Sequence, residues 1–371
     1  MFVCLRILRA FTLGLAVGLV HGSQVGAAEI SAPFPQINSS HHCNPQAPKI
    51  LMNELEREKH TRVAIATQGK AAEMKSVISW LPYHSQHHHF VLLSFDVPIQ
   101  DPACVSSQSI VTCIFSPNST WTTGRNELAQ SIFDNERKQK SRFKFWYFSD
   151  ADVLTTAVCR PRSACIASVG LQPHCCHPDE TTASCCLKAQ LEFLESPPAD
   201  NLAEVSFILN PRKVLAENEK GKIAHTACND ALSAAFHRLV VPLALPYDTK
   251  FDDFSWWASQ MIHFVKARAC YPDFVVKVGV VERTQNTHAN YPKGIPKETE
   301  GYMLELAHAL NYSTKGSLVT NQGDCAHSKT PDISLAAWTQ KTQFRACWAT
   351  LCPVFRYSHM QGDPQIGTEI E

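Results

Sequence analysis

Between Arg62 and Phe148, β-rich runs alternate with helical stretches, and this alternation sharply limits the folds open to the chain. Arg62–Thr67, Phe90–Phe95, Ile110–Phe115 and Phe143–Phe148 read as strands. After Gly69 a helical pattern runs from Lys70 to Trp80, with Ala72, Val77, Ile78 and Leu81 at helical spacings. Gly124 opens a second helix, Arg125 to about Lys138, with Leu128, Ile132 and Phe133 apolar. Strands alternating with helices predict an α/β fold with a mainly parallel sheet and helices on both faces. Ligands of such sheets bind at the carboxyl ends of strands. Those ends hold Thr67, Gln68, Asp96 and the Ser149–Asp152 segment.

Further along, Leu202–Leu209 and Phe274–Val281 read as strands, and Cys228–Leu239, Phe254–Ala267 and Glu298–Leu310 as helices. Beyond Gly316 the pattern weakens. Cys159, Cys165, Cys175, Cys176, Cys185 and Cys186 crowd a Pro- and His-bearing stretch, read as a loop-rich insert. With Cys4 set apart in the leader, the fifteen cysteines leave fourteen, enough for seven disulfides whose connectivity the sequence does not give. So many cysteines favour an oxidising compartment.

The N-terminus agrees. Arg6 and Arg9 precede an apolar run, Ala10 to Val20, and then the small residues Val25-Gly-Ala-Ala28. That is a signal-peptide layout, cleaved after Ala27 or retained as a short anchor. The run is shorter than the about 20 residues a spanning helix needs. Three N-x-[ST] sequons, at Asn38, Asn118 and Asn311, fit the secretory pathway. The organisation is then leader 1–27, Pro-containing stem 28–60, folded domain 61–315 and C-terminal extension 316–371. The domain divides into a ligand-binding half at 61–158, a Cys-rich insert at 159–200 and a second half at 201–315. Thirty-four basic and thirty-four acidic residues give zero formal charge, which argues against a dedicated nucleic-acid binder.

Phe145-Trp-Tyr-Phe-Ser-Asp-Ala-Asp-Val153 carries the most chemistry. An apolar strand ends in Asp150 and Asp152, and two carboxylates there suit a hard cation such as Mg²⁺ or Mn²⁺. Alone, D-x-D also describes a solvated turn. In context, Thr122-Thr-Gly-Arg-Asn-Glu-Leu128, its helix and Phe148-Ser-Asp-Ala-Asp152 resemble the GT-A glycosyltransferases over residues 61–295. The resemblance implies a GT-A-like, Rossmann-type sheet that binds a nucleotide sugar, a UDP- or GDP-sugar, with Mn²⁺ or Mg²⁺ on its diphosphate. It puts Asp152 on the metal, and Asp150 on the metal or on the donor ribose and sugar. Thr67, Gln68 and Asp96 fall where that family holds the nucleoside; Asp96 reads equally as a strand-end turn residue. Arg125 suits a diphosphate or sugar hydroxyls, or a surface ion pair, and Asn126 reads as a donor contact or a helix cap.

Leu245-Pro-Tyr-Asp-Thr-Lys-Phe-Asp-Asp-Phe-Ser-Trp-Trp-Ala-Ser-Gln260 is the second informative stretch. Trp256 and Trp257 suit stacking on an acceptor sugar, with one of them facing the core. The resemblance places a general base at Asp252 or Asp253, with Asp253 preferred; dipole-favouring helix-start acids are the plain alternative. It also implies His288 as a third metal ligand and Lys293 as a diphosphate contact. His174-Cys-Cys-His177 with Cys185-Cys186 lacks zinc spacing and reads as disulfides, and His84, His87, His88 and His89 read as a solvated loop. G-x-S-x-G, H-E-x-x-H and P-loop motifs are absent from the sequence.

The resulting expectation is a glycosyltransferase of the Golgi lumen or a secreted one, with a glycan, protein or lipid acceptor. It would touch a membrane only through a retained N-terminal anchor. The alternatives are a secreted, disulfide-rich, non-catalytic binding protein on the same scaffold and a metal-dependent phosphoesterase. The phosphoesterase would need more converging His and Asp ligands than the sequence supplies.

Overall fold

The computed structural model describes residues 48–49, 51, 53, 55, 62–106, 110–159, 177–207, 223–226, 231–285, 296–313 and 332–360. The leader and stem expected at 1–60 lie almost wholly outside them.

The expected alternation forms. Strand β1 (Val63–Gly69) leads into helix α1 (Ala71–Ile78), which returns to β2 (His88–Ser94) and β3 (Val111–Phe115). Helix α2 (Trp121–Gln139) then leads to β4 (Phe145–Asp150). Ala64, Ala66, Val91, Leu93, Trp146 and Phe148 face one core with Leu128 and Ile132 of α2. The residues between them, Val63, Ile65, Phe90, Leu92, Phe145 and Tyr147, face the other with Met74 and Val77 of α1. Period-two alternation with both faces apolar is the signature of a sheet covered on both sides.

A short helix α3 (Ala151–Thr155) and strand β5 (Val158–Cys159) follow β4. The expected loop insert instead contains a 14-residue helix, α4 (Thr182–Glu195). Its Leu187, Leu191 and Leu194 recur at helical spacing and pack in the same core as α1. Strands β6 (Glu204–Ser206), β7 (Ile223–His225) and β8 (Ser233–His237) precede a short helix α5 (Val241–Ala244) and helix α6 (Trp256–Cys270). The helix expected over Cys228–Leu239 is thus overturned where described: Ser233–His237 is extended. This Ala-rich run is buried on both faces between β4 and β6, and sheet pairing overrides alanine's helical preference.

Strands β9 (Val275–Val278) and β10 (Val281–Arg283) lead to helices α7 (Lys297–Ala309), α8 (Leu335–Trp338) and α9 (Thr342–Met360). The eight-stranded sheet has order β3-β2-β1-β4-β8-β6-β9-β7, and β5 pairs with β10 separately. The first four strands are mutually parallel, whereas β8 runs antiparallel to both β4 and β6. Past Gly316, where the sequence pattern is weak, Leu335, Phe344, Cys347 and Trp348 join the core that holds α2 and α6. A Cys270–Cys347 disulfide closes that contact, and Cys104–Cys113 and Cys159–Cys186 are also bonded. Among the described residues no helix is long and apolar enough to cross a membrane.

The histidine cluster divides: His87 is exposed in the turn before β2 and His84 is half-buried in the same connection, but the solvated-loop reading fails for the other two. His88 and His89 lie inside β2 and are buried. His88 Nε2 meets Glu195 Oε1 at 2.7 Å, and His89 Nε2 meets Thr112 Oγ1 and Asn135 Nδ2 at 3.1 and 2.9 Å.

Candidate functional site at the β1–β4 switch point

The chain order moves from β1 through β2 to β3 on one side, then places β4 on the other side of β1. The carboxyl ends of β1 and β4 therefore flank a topological switch point, where open α/β sheets form a crevice. Parallel register sets Thr67 opposite Ser149 and Gln68 opposite Asp150 there. Gly69 closes β1, where a Cβ would collide with the Cβ of Ala151 at the start of α3.

Helix α2 enters the same place. Thr120 caps it, accepting from Thr123 N at 3.1 Å. Gln68 Nε2 donates to the Trp121 carbonyl at 3.2 Å, and its Oε1 lies where a Cβ on Gly124 would sit. Trp121 Nε1 donates to Asp150 Oδ1 at 3.0 Å, and Arg125 Nη2 donates to the same oxygen at 2.5 Å. Arg125 is fully buried, its guanidinium 5.2 Å from the Trp121 ring centroid and 5.7 Å from that of Phe148. Burial pushes the Asp150 carboxyl up to about 6 while the Arg125 charge opposes it. Asp152, in the first turn of α3, is buried and accepts from the Val153 amide at 2.8 Å.

The 245–257 loop closes onto α2. Asn126 Nδ2 donates to the Tyr247 carbonyl at 2.9 Å, and its Oδ1 accepts from the Tyr247 amide at 2.8 Å. Thr120 Oγ1 donates to Asp252 Oδ2, and burial raises the Asp252 carboxyl above its usual range. Asp248 accepts from the Tyr302 hydroxyl of α7 at 2.6 Å.

The structure thus brings Thr67, Gln68, Arg125, Asn126, Asp150, Asp152 and Asp252 to one end of the sheet. Several were given other work by their neighbours. Asn126 does not cap its helix, whose N-cap is Thr120; its side-chain amide instead engages both backbone groups of Tyr247. Arg125 is no surface residue; it lies beneath Asp150. Asp96 is exposed and its Oδ1 accepts from Ala71 N at the start of α1 and from Val97 N, both at 2.8 Å. The Ala71 bond, first, holds its carboxyl below the usual range. Asp253 is exposed, whereas Asp252 is buried. Trp256 packs against the core and Trp257 is 42% exposed. His288 and Lys293 lie outside the described residues.

Thr120 and Trp121, which join Asp252 to Asp150, escaped the sequence reading. The threonine three residues before Thr123 was the available signal, since it is a strong N-cap type. The indole donor could not be placed without knowing that α2 crosses the end of β4.

Six buried polar atoms at this end have no hydrogen-bond partner among the described residues: Thr67 Oγ1, Gln68 Oε1, Arg125 Nε and Nη1, the Tyr247 hydroxyl and Asp252 Oδ1. Buried polar groups are normally satisfied by protein, water or ligand. For a cation, the oxygen donors Asp150 and Asp152 have the right hardness, and Asp150 Oδ2 accepts no hydrogen bond from the described residues. Among those residues no three metal-ligating side chains converge, so phosphate or water oxygens would have to complete the shell.

No family model matches the chain, and no curated protein matches it. Among solved structures the chain is similar to a mycobacterial protein at 12% identity and a TM-score of 0.33, over 73% of this chain and 79% of that one. That likeness is too distant to bear on function.

Proposed function

We propose that the protein is a metal-dependent glycosyltransferase of GT-A type, working in the secretory pathway on a UDP- or GDP-sugar. The observation that supports this best is the pairing of Gln68 with Asp150 at the switch point, with Asp152 two residues on. Thr67 and Gln68 would meet the nucleoside. Asp150 and Asp152 would hold Mn²⁺ or Mg²⁺, which supplies charge neutralisation for the departing diphosphate. Arg125 and Trp121 would fix the Asp150 carboxylate from beneath rather than touch the donor. Asp252, with its raised affinity for a proton, or the exposed Asp253 would accept the proton of the acceptor hydroxyl.

One observation favours the non-catalytic binding protein instead: Arg125 and Trp121 already satisfy Asp150 Oδ1 without a cation. A thermal-shift panel of UDP-, GDP- and CMP-sugars, with and without Mn²⁺, separates the readings. Transferase function predicts stabilisation by one nucleotide class that requires Mn²⁺ and disappears in Asp152→Ala. A folded protein that responds to none of the donors would sink the proposal.

A further inference from the structure

The loop that Asp252 ties to α2 presents an aromatic face that the fold itself does not use. Phe254 precedes Ser255, the N-cap of α6. An apolar residue there commonly staples onto the fourth helical residue. That residue is Ser259, which is buried and whose hydroxyl donates to the Asp248 carbonyl and meets Thr122 Oγ1 at 3.0 Å. Without an apolar partner, Phe254 stays 62% exposed, and Trp257 three residues on is 42% exposed. Other exposed large apolar residues, such as Val105 and Leu304, stand singly along the chain and need no explanation.

Asp253 stands beside Phe254, exposed, its carboxylate taking no hydrogen bond from the described residues. Two exposed aromatic rings with a solvated carboxylate make a small amphipathic face. A pyranose suits it, offering C–H groups to a ring and hydroxyl donors to an acid. An anionic membrane does not. Asp248, Asp252 and Asp253 crowd the loop, and its one cation, Lys250, lies 4.1 Å from the Tyr302 ring centroid.

We infer that Asp253, Phe254 and Trp257 form a carbohydrate subsite, so that the acceptor is a glycan rather than a lipid or a bare polypeptide. This deepens the transferase reading and rests on it for the word acceptor, but sugar binding at the face can be measured alone. The full chain would be titrated with methyl glucosides, methyl galactosides, methyl N-acetylglucosaminides and lactose, by saturation-transfer NMR and tryptophan fluorescence. Phosphatidylcholine vesicles containing phosphatidylserine form the competing arm.

A saturable response to at least one sugar is expected. Trp257→Ala and Phe254→Ala should each weaken it about tenfold, and Asp253→Asn should weaken it by a smaller factor. All three side chains are exposed, so unchanged unfolding midpoints are expected and show that loss is local. No response to any sugar, binding indifferent to all three substitutions, or binding to vesicles instead overturns the subsite. Sugar binding without any nucleotide-sugar response keeps the subsite and removes the transferase; the reverse pattern does the opposite.

Discussion

Arg125 Nη2 lies 2.5 Å from Asp150 Oδ1, with the arginine fully buried and the aspartate nearly so. The pair couples the first turns of α2 to the end of β4. A buried pair of this kind adds little over a good apolar substitute, but breaking one side strands a charge. Arg125→Met should therefore cost about 3–5 kcal/mol, and Arg125→Met with Asp150→Asn clearly less than the two single losses added. Denaturant unfolding of the four proteins measures this. Additive losses would mean that the two side chains do not stabilise each other.

Buried histidines should make stability fall with acid. Burial holds His237 and His84 at about 3 and His89 at about 4, against 6.5 for the free side chain. Below pH 6.5 the unfolded chain binds protons that the folded chain refuses. Each histidine thus removes up to about 1.4 kcal/mol per pH unit as pH falls from 6.5 toward its folded value. Asp150 acts oppositely: its raised carboxyl binds a proton first in the folded state, so its contribution is present at low pH and fades as pH rises through about 6. Asp252, also raised by burial, acts in the same sense as Asp150; with three histidines against these two carboxyls, the unfolding midpoint should drop between pH 6.5 and 4. His237→Asn, after allowance for its own cost, should flatten that slope; an unchanged slope would contradict the assignment.

What could be read from the chain, and what could not, follows from the range of the interactions. β1, β2 and β4 are apolar on both faces, so a local window suffices to find them and the switch-point residues at their ends. Ser233–His237 is five residues of mixed preference, and only its partners Phe145–Ser149 and Glu204–Ser206 make it a strand. Arg125 read as a donor contact or a surface ion pair because Asp150, its buried partner, is 25 residues away and meets it only after α2 has crossed the sheet. His88 read as solvated because Glu195, the partner that lets it be buried, lies 107 residues along. Asn126 likewise depends on Tyr247, 121 residues distant.

The Cys270–Cys347 bond spans 77 residues and joins the last residue of α6 to α9. Cross-linking a loop of that length restricts the unfolded chain, by roughly 4–5 kcal/mol in the chain-entropy account. Replacing both cysteines by alanine should lower stability by several kcal/mol, more than removing Cys104–Cys113, which spans only 9 residues. Denaturant titration of both variants under non-reducing conditions gives the comparison. An equal loss from the two would show that local packing, not loop closure, sets their worth.

Passage through the secretory pathway would leave a covalent record. Asn118 and Asn311 are both exposed, the latter at φ 52° just beyond α7. Each begins a sequon, and each is expected to carry an N-linked glycan when the chain is made in a secreting eukaryotic cell. Amidase treatment should shift the intact mass, and Asn118→Gln and Asn311→Gln should each remove one glycan. The first sequon contains Thr120, the cap of α2 and the donor to Asp252. Thr120→Ser should keep glycan, cap and bond together. Thr120→Ala should lose all three and about 1 kcal/mol of stability from the cap alone, whereas Asn118→Gln should lose the glycan only. A secreted chain whose mass the amidase leaves unchanged would refute the assignment of both sites.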